Sequence, residues 1–197
     1  GSEMCIRDRK NLSSLIKSLN ESFEKIIECT KCGNIDMQSG GIVSQNAGES
    51  TIEDIALGAG QLDMQGGTMN VTAMSLAGSS KMNMKLGRML IANLISSENG
   101  GEVEVSGGEM EVTNTMSFAN GGLLKVSAGR AKMARFELGA GRLEMDSGNM
   151  EITTLDLTSD SEISITDGEV VIDKIESSDG NGQFALGGGV AKISESE

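Results

Sequence analysis

Cys29 and Cys32 stand as Cys-x-x-Cys, the spacing at which two thiols share a metal or exchange electrons. Neither chemistry is completed elsewhere. Tetrahedral zinc takes four nitrogen or sulfur ligands, and the chain has 0 histidines and one other cysteine, Cys5. A thioredoxin-like pair needs a βαβ context, and the pattern around these cysteines has none. The pair therefore reads as two half-buried thiols or a local disulfide. Ser178-Asp179-Gly180-Asn181-Gly182 offers oxygen ligands for calcium, but no distal glutamate follows at EF-hand spacing, so it reads as a polar turn. Met82 and Met84 are soft enough for copper(I), yet equivalent positions elsewhere hold Val, Leu and Ile, which makes them core. Basic side chains concentrate at Lys125, Arg130, Lys132, Arg135 and Arg142. With no histidine, no Gly-x-Ser-x-Gly and no P-loop, Ser-His hydrolysis and phosphoryl transfer lack their parts. The expectation is a chain that is not an enzyme, with no catalytic residue, metal ligand or cofactor site.

The elements that carry these residues repeat. From Gly101 to Phe118 the chain reads as short alternating strands, Val103/Val105, Met110/Val112 and Met116/Phe118, with a Gly-Gly corner after the first. One corner glycine per copy gives the column Gly40, Gly67, Gly87, Gly108, Gly129, Gly148, Gly168 and Gly189. A period near 20 residues with period-2 alternation inside it predicts a parallel β-solenoid, one repeat per coil. Five residues before each glycine stand Ile35, Leu62, Met82, Val103, Leu124, Leu143, Ile163 and Phe184, and similar apolar columns lie three before, two after and four after it. The third strand, Met74/Leu76 to Ile175/Ser177, is less regular, and its copy at Met116 requires a one-residue bulge. Outward residues give an independent check, because parallel coils stack equivalent positions about 4.8 Å apart. The ladders Glu104–Lys125–Glu144, Glu111–Lys132–Glu151 and Arg88–Glu109–Arg130 all alternate in sign, as stacked charges must to attract.

This predicts an all-β, right-handed parallel β-solenoid of about eight coils over residues 33–194, with three short strands per coil. The first coil carries extra residues, Val43 to Thr51, expected to bulge as a loop. Gln45, Asn46 and Glu49 in that loop are candidate interaction residues. Ahead of it, residues 10–32 have Leu12, Leu15, Ile16, Leu19, Phe23, Ile26 and Ile27 at helical spacing. An amphipathic helix here would cap the open first coil, and a short coiled-coil seam is the other reading. Residues 2–9 resemble translated sequencing-adaptor read-through, so segment 1–9 is expected to be artefactual or disordered. Residues 195–197 form an acidic tail.

The formal charge of −13 opposes nucleic acid and anionic membrane surfaces. No apolar run approaches the ~20 residues of a membrane helix. Thr72, Thr113 and Thr153 share a column, but Ala92, Ala134 and Asp173 interrupt what would otherwise be an ice-binding rank. Gly-Gly-Thr-Met-Asn-Val (66–71), Gly-Gly-Glu-Val-Glu-Val (100–105) and Gly-Gly-Glu-Met-Glu-Val (107–112) resemble the Gly-Gly-x-Leu-x-Val repeats of autotransporter passenger and filamentous-adhesin β-helices. That resemblance implies an extracellular or cell-surface stalk, structural or adhesive, with a protein or surface glycan as partner. A weaker resemblance, to bactofilins, implies a scaffold that associates end to end. The enzymatic alternative is a carbohydrate-active β-helix, but the chain has no Tyr or Trp to stack on sugars.

Overall fold

The computed structural model describes residues 24–26, 32–97, 100–118, 120–158, 160–177 and 182–196. Short and long strands alternate along the chain. The first nine are β1 (Glu24–Ile26), β2 (Cys32–Met37), β3 (Ile42–Gln45), β4 (Glu49–Leu57), β5 (Gln61–Met64), β6 (Thr68–Leu76), β7 (Lys81–Met84), β8 (Arg88–Ser96) and β9 (Glu102–Val105). The rest are β10 (Glu109–Phe118), β11 (Leu123–Val126), β12 (Arg130–Leu138), β13 (Arg142–Met145), β14 (Asn149–Leu157), β15 (Glu162–Ile165), β16 (Glu169–Ser177), β17 (Gln183–Leu186) and β18 (Val190–Ser196). Odd-numbered strands form one nine-stranded sheet and even-numbered strands the other, every pair parallel. Each coil adds one strand to each sheet, so the array is a parallel β-solenoid of about eight turns.

Two strands per coil replace the expected three, because the second and third are one bent strand. In β6 the pattern puts Met69, Val71, Met74 and Leu76 inside, with a step of three between Val71 and Met74. Two successive residues, Thr72 and Ala73, lie outside that buried set at the bend, and ladder pairing continues on both sides of it. β10 carries one residue more, and its register against β8 and β12 shifts between Val112 and Thr115, the bulge that brings Met116 inward.

The core is one continuous stack in which each apolar residue sits on its equivalent in the next coil. Twelve methionines are buried there, Met37 being the most exposed at 6%. Unbranched thioethers fill such a stack without demanding one shape. The two large rings, Phe118 and Phe136, meet edge to face at 5.8 Å between centroids. Outward, the expected register holds in all three ladders: Glu104↔Lys125↔Glu144, Glu111↔Lys132↔Glu151 and Arg88↔Glu109↔Arg130.

Corner geometry explains the glycine column. From Gly67 to Gly168 these residues have φ between +72° and +96°, and a Cβ on Gly67 would lie 2.3 Å from the Gly48 carbonyl oxygen. A second small-residue column enters the short strands. The carbonyls of Gly60, Ser80, Gly101, Gly122, Gly141 and Ser161 accept from the N–H of the residue opening the short strand one coil on, Lys81 through Gln183. A Cβ at Gly101 would stand 2.6 Å from that of Leu76, which is why this corner also excludes larger residues.

The structure corrects the reading of the first coil. Val43 and Gln45 pair with Leu62 and Met64, and Glu49 pairs with Thr68, so residues 43–51 are an ordinary coil and not an inserted loop. Gly48, at φ +78°, holds the corner position assigned to Gly40. Gly40 lies in the turn before β3, its N–H donating to the Met37 carbonyl. Ile35 and Met37 accordingly stack on Ile55 and Leu57 and not on Leu62 and Met64. Of the helix expected over 10–32, Glu24–Ile26 is a strand paired with β3, and Cys32 opens β2; the remainder lies outside the described residues. An edge left open by β3 offers backbone partners that a helix cannot use. At the far end Glu195 and Ser196 belong to β18, so the acidic tail begins inside the last strand.

Candidate functional site

Charge on the solenoid surface runs in columns, and its side chains bridge coils diagonally more than they stack. Arg88 Nη2 reaches Glu111 Oε2 at 3.0 Å and Arg88 Nε lies 3.9 Å from Glu109 Oε2, while Arg130 crosses to Glu151 at 2.5 Å. Lys125 bypasses both glutamates of its ladder for Asp146, at 3.2 Å. That hydrogen bond, and then the charge behind it, holds the Lys125 ammonium above its ordinary pKa. Long side chains span one strand spacing and one lateral step with little strain, so the ladders fix register while the diagonals make the contacts.

The densest constellation lies on the side formed by the second halves of the long strands. Glu137, Asp156 and Glu176 are consecutive rungs of one column, like charges a single strand spacing apart. Arg135 serves all three. Its Nε donates to Glu137 Oε1 at 3.1 Å, Nη1 to Glu176 Oε2 at 3.2 Å, and Nη2 to Asp156 Oδ2. The planar guanidinium supplies donors in several directions at once, which an ammonium on one bond vector does less well. Lys174 adds a contact to Glu176 at 3.1 Å. The Lys174 hydrogen bond first, then Arg135, hold the Glu176 carboxyl below its ordinary pKa, and the hydrogen bond to Glu137 leads the causes that raise Arg135.

A pH test follows. Glu176 is held low in the folded chain, so its contribution is present above the unfolded carboxylate pKa and is lost as pH falls through the folded one. Arg135→Met should lower the melting temperature at neutral pH more than Arg142→Met does, since it leaves three stacked carboxylates facing one another. The deficit should shrink as the pH drops below the carboxylate range. A deficit that is the same at neutral and acid pH would show that the guanidinium acts only by packing.

Each residue singled out by sequence has a definite place. Gln45 is buried inside the solenoid. Its Nε2 donates to the carbonyls of Gly48 and Thr68 at 3.2 and 2.9 Å, and its Oε1 accepts from Ser50 Oγ at 2.5 Å. Asn46 is exposed at the corner and Glu49 is exposed at the start of β4, so the three do not form a common loop surface. Met82 and Met84 are fully buried. Cys32 is half-buried and disulfide-bonded; Cys5 and Cys29 lie outside the described residues, as do residues 178–181 of the calcium candidate. Among the basic cluster, Lys125, Arg130, Arg135 and Arg142 all pair with carboxylates, and Lys132 lies 3.8 Å from Glu111.

A hollow of about 390 Å³ is open along the second glycine corner, between Gly78, Gly101 and Gly122, with Lys81 and Glu102 paired at 2.6 Å beside it. Among the described residues no acidic or cysteine groups converge as a metal ion requires, and no helix is long and apolar enough to cross a membrane. Sequence reasoning missed the Glu137–Asp156–Glu176 column, though its members recur at the coil period. Comparison with protein-family models, curated proteins and solved structures finds no match.

Proposed function

We propose that this chain is a non-enzymatic structural or adhesive surface module, a stiff rod that presents broad polar sides to a protein or surface-glycan partner. The observation that carries this reading is the continuous parallel stacking of both sheets, β1 to β17 and β2 to β18, interrupted in register only by the bulge in β10 among the described residues. Nine stacked strands make a rod about 40 Å long, wound right-handed as parallel crossovers require. The described cations are engaged largely with carboxylates along the rod, as the Arg135 and Arg88 contacts illustrate. Such an arrangement supplies stiffness and display in place of a concave site.

One observation favours a second reading, a scaffold that assembles end to end. On the last described coil Phe184, Leu186, Val190 and Ile193 are 41–52% exposed. Phe184, Leu186 and Ile193 continue columns that are buried in the coil before. β17 has no charged residue to discourage pairing. Light scattering across a salt series, run with a glycan and surface-protein binding panel, separates the readings. The adhesive rod stays monomeric and binds members of the panel. The scaffold associates as salt rises, Phe184→Glu abolishes that association, and the panel stays silent. A monomer that binds nothing on the panel would sink both.

A further inference from the structure

The corner between β15 and β16 contains the adjacent pair Asp167–Gly168. Asp167 is exposed, and its Oδ1 accepts a hydrogen bond from the very next N–H, that of Gly168, at 2.7 Å. Oδ1 is one bond from Cγ, so the contact lays the Gly168 nitrogen against the carboxyl carbon it would attack to close a five-membered ring. Intramolecular reactions of this kind proceed when the reacting atoms approach within ~3–3.5 Å. Gly168 has no side chain to obstruct the approach. Asn120–Gly121 makes an informative contrast. By sequence chemistry alone Asn-Gly reacts ahead of Asp-Gly, since ammonia is expelled from a neutral amide. Here, however, the Gly121 N–H donates to the Phe118 carbonyl at 3.2 Å, which holds that nitrogen to the main chain and not to its own neighbour's side chain.

We propose that Asp167 is a site of spontaneous modification, in which Gly168 closes a succinimide that reopens to isoaspartate, and that folding favours it over Asn120. In the first step the Gly168 nitrogen loses its hydrogen and the protonated Asp167 carboxyl loses hydroxyl. An N–Cγ bond forms and one water leaves. One water then returns. Added at Cγ it restores aspartate, and added at the main-chain carbonyl carbon it gives isoaspartate, with the backbone now running through Cβ and Cγ. Nothing is oxidised or reduced, and water is the only co-reactant. The product lengthens the main chain at a corner with no slack. The Gly168 carbonyl accepts from Val190 N–H at 2.8 Å, Glu169 N–H donates to Gly148 at 3.0 Å, and a Cβ at Gly168 would lie 2.6 Å from the Gly148 oxygen. Conversion therefore loosens the attachment of β18 to β16.

The test incubates the intact chain in mildly acidic buffer, folded and in denaturant, and maps isoaspartate by peptide mass spectrometry and methyltransferase labelling. Mapping separates the site from Asp179–Gly180. The expected result is an isoaspartate rate at 167 in the folded chain within about threefold of the denatured rate, while folding slows position 120 by about tenfold or more. Suppression at 167 as strong as at 120 would overturn the proposal. Asp167→Glu, whose ring would need six members, should stay folded by circular dichroism and lose the signal. A signal that persists there would overturn the assignment as well.

Discussion

Met110→Asp should abolish the cooperative unfolding transition, whereas Met110→Leu should melt nearly as the parent does. Met110 is 0% exposed and sits in a column between Met89 on β8 and Ala131 on β12. An aspartate there buries a carboxylate with no cation in reach, at a cost of roughly 3–5 kcal/mol or more. That is a large share of the ~5–15 kcal/mol that holds a typical domain together. The loss is amplified by architecture, because each coil is held mainly by its two neighbours and a failure in mid-array weakens both. Leucine keeps volume and polarity, so its cost should stay below about 1.5 kcal/mol. Circular dichroism against temperature reads both variants. An aspartate variant that melts cooperatively near the parent temperature would mean that Met110 does not lie in the core.

Gly67→Ala should be much more damaging than Gly48→Ala, although the two glycines occupy the same corner in successive coils. Their φ values are nearly equal, +80° and +78°, so an alanine at either place carries the left-handed strain of about 1–2 kcal/mol. The surroundings differ. A Cβ at Gly67 would lie 2.3 Å from the Gly48 oxygen, 2.7 Å from the Ala47 carbonyl carbon and 2.9 Å from the Gly48 nitrogen. All three are backbone atoms of the coil below and cannot rotate aside. At Gly48 no atom of the described residues stands within 4 Å. The clash adds an overpacking term, so the Gly67 variant should lose about 3 kcal/mol or more in total. Equal losses in denaturant titrations would show that conformation alone, and not coil-on-coil contact, selects glycine in this column.

The glycine column and the apolar columns beside it were legible in the residues themselves from Gly67 to Gly168. A residue that faces the interior of a stacked array is held apolar from coil to coil unless its polar atoms find partners inside, and one at a left-handed corner touching the coil below must lack a Cβ. Repetition turns those two local demands into a periodic signal. The alternating ladders through Glu104, Glu111 and Glu109 were legible for a related reason, since stacked like charges repel. Tertiary structure alone decided the first coil. Gln45 and Ser50 take inward places that Met64 and Met69 hold one coil later, and they are tolerated only because they satisfy each other and the carbonyls of Gly48 and Thr68. Polar residues inside erased the apolar pattern, and Gly40 then stood near enough to the count to be mistaken for Gly48. Glu24–Ile26 followed the same logic in reverse. Ile26 fits a helical stripe, but the free edge of β3 offers backbone partners from outside the segment, and hydrogen bonds made between distant strands leave no trace in local spacing. The carboxylates around Arg135 were hidden by the bend in the long strands. Two successive outward residues break the period of two, so which side chains share the third face is settled only when the coil closes.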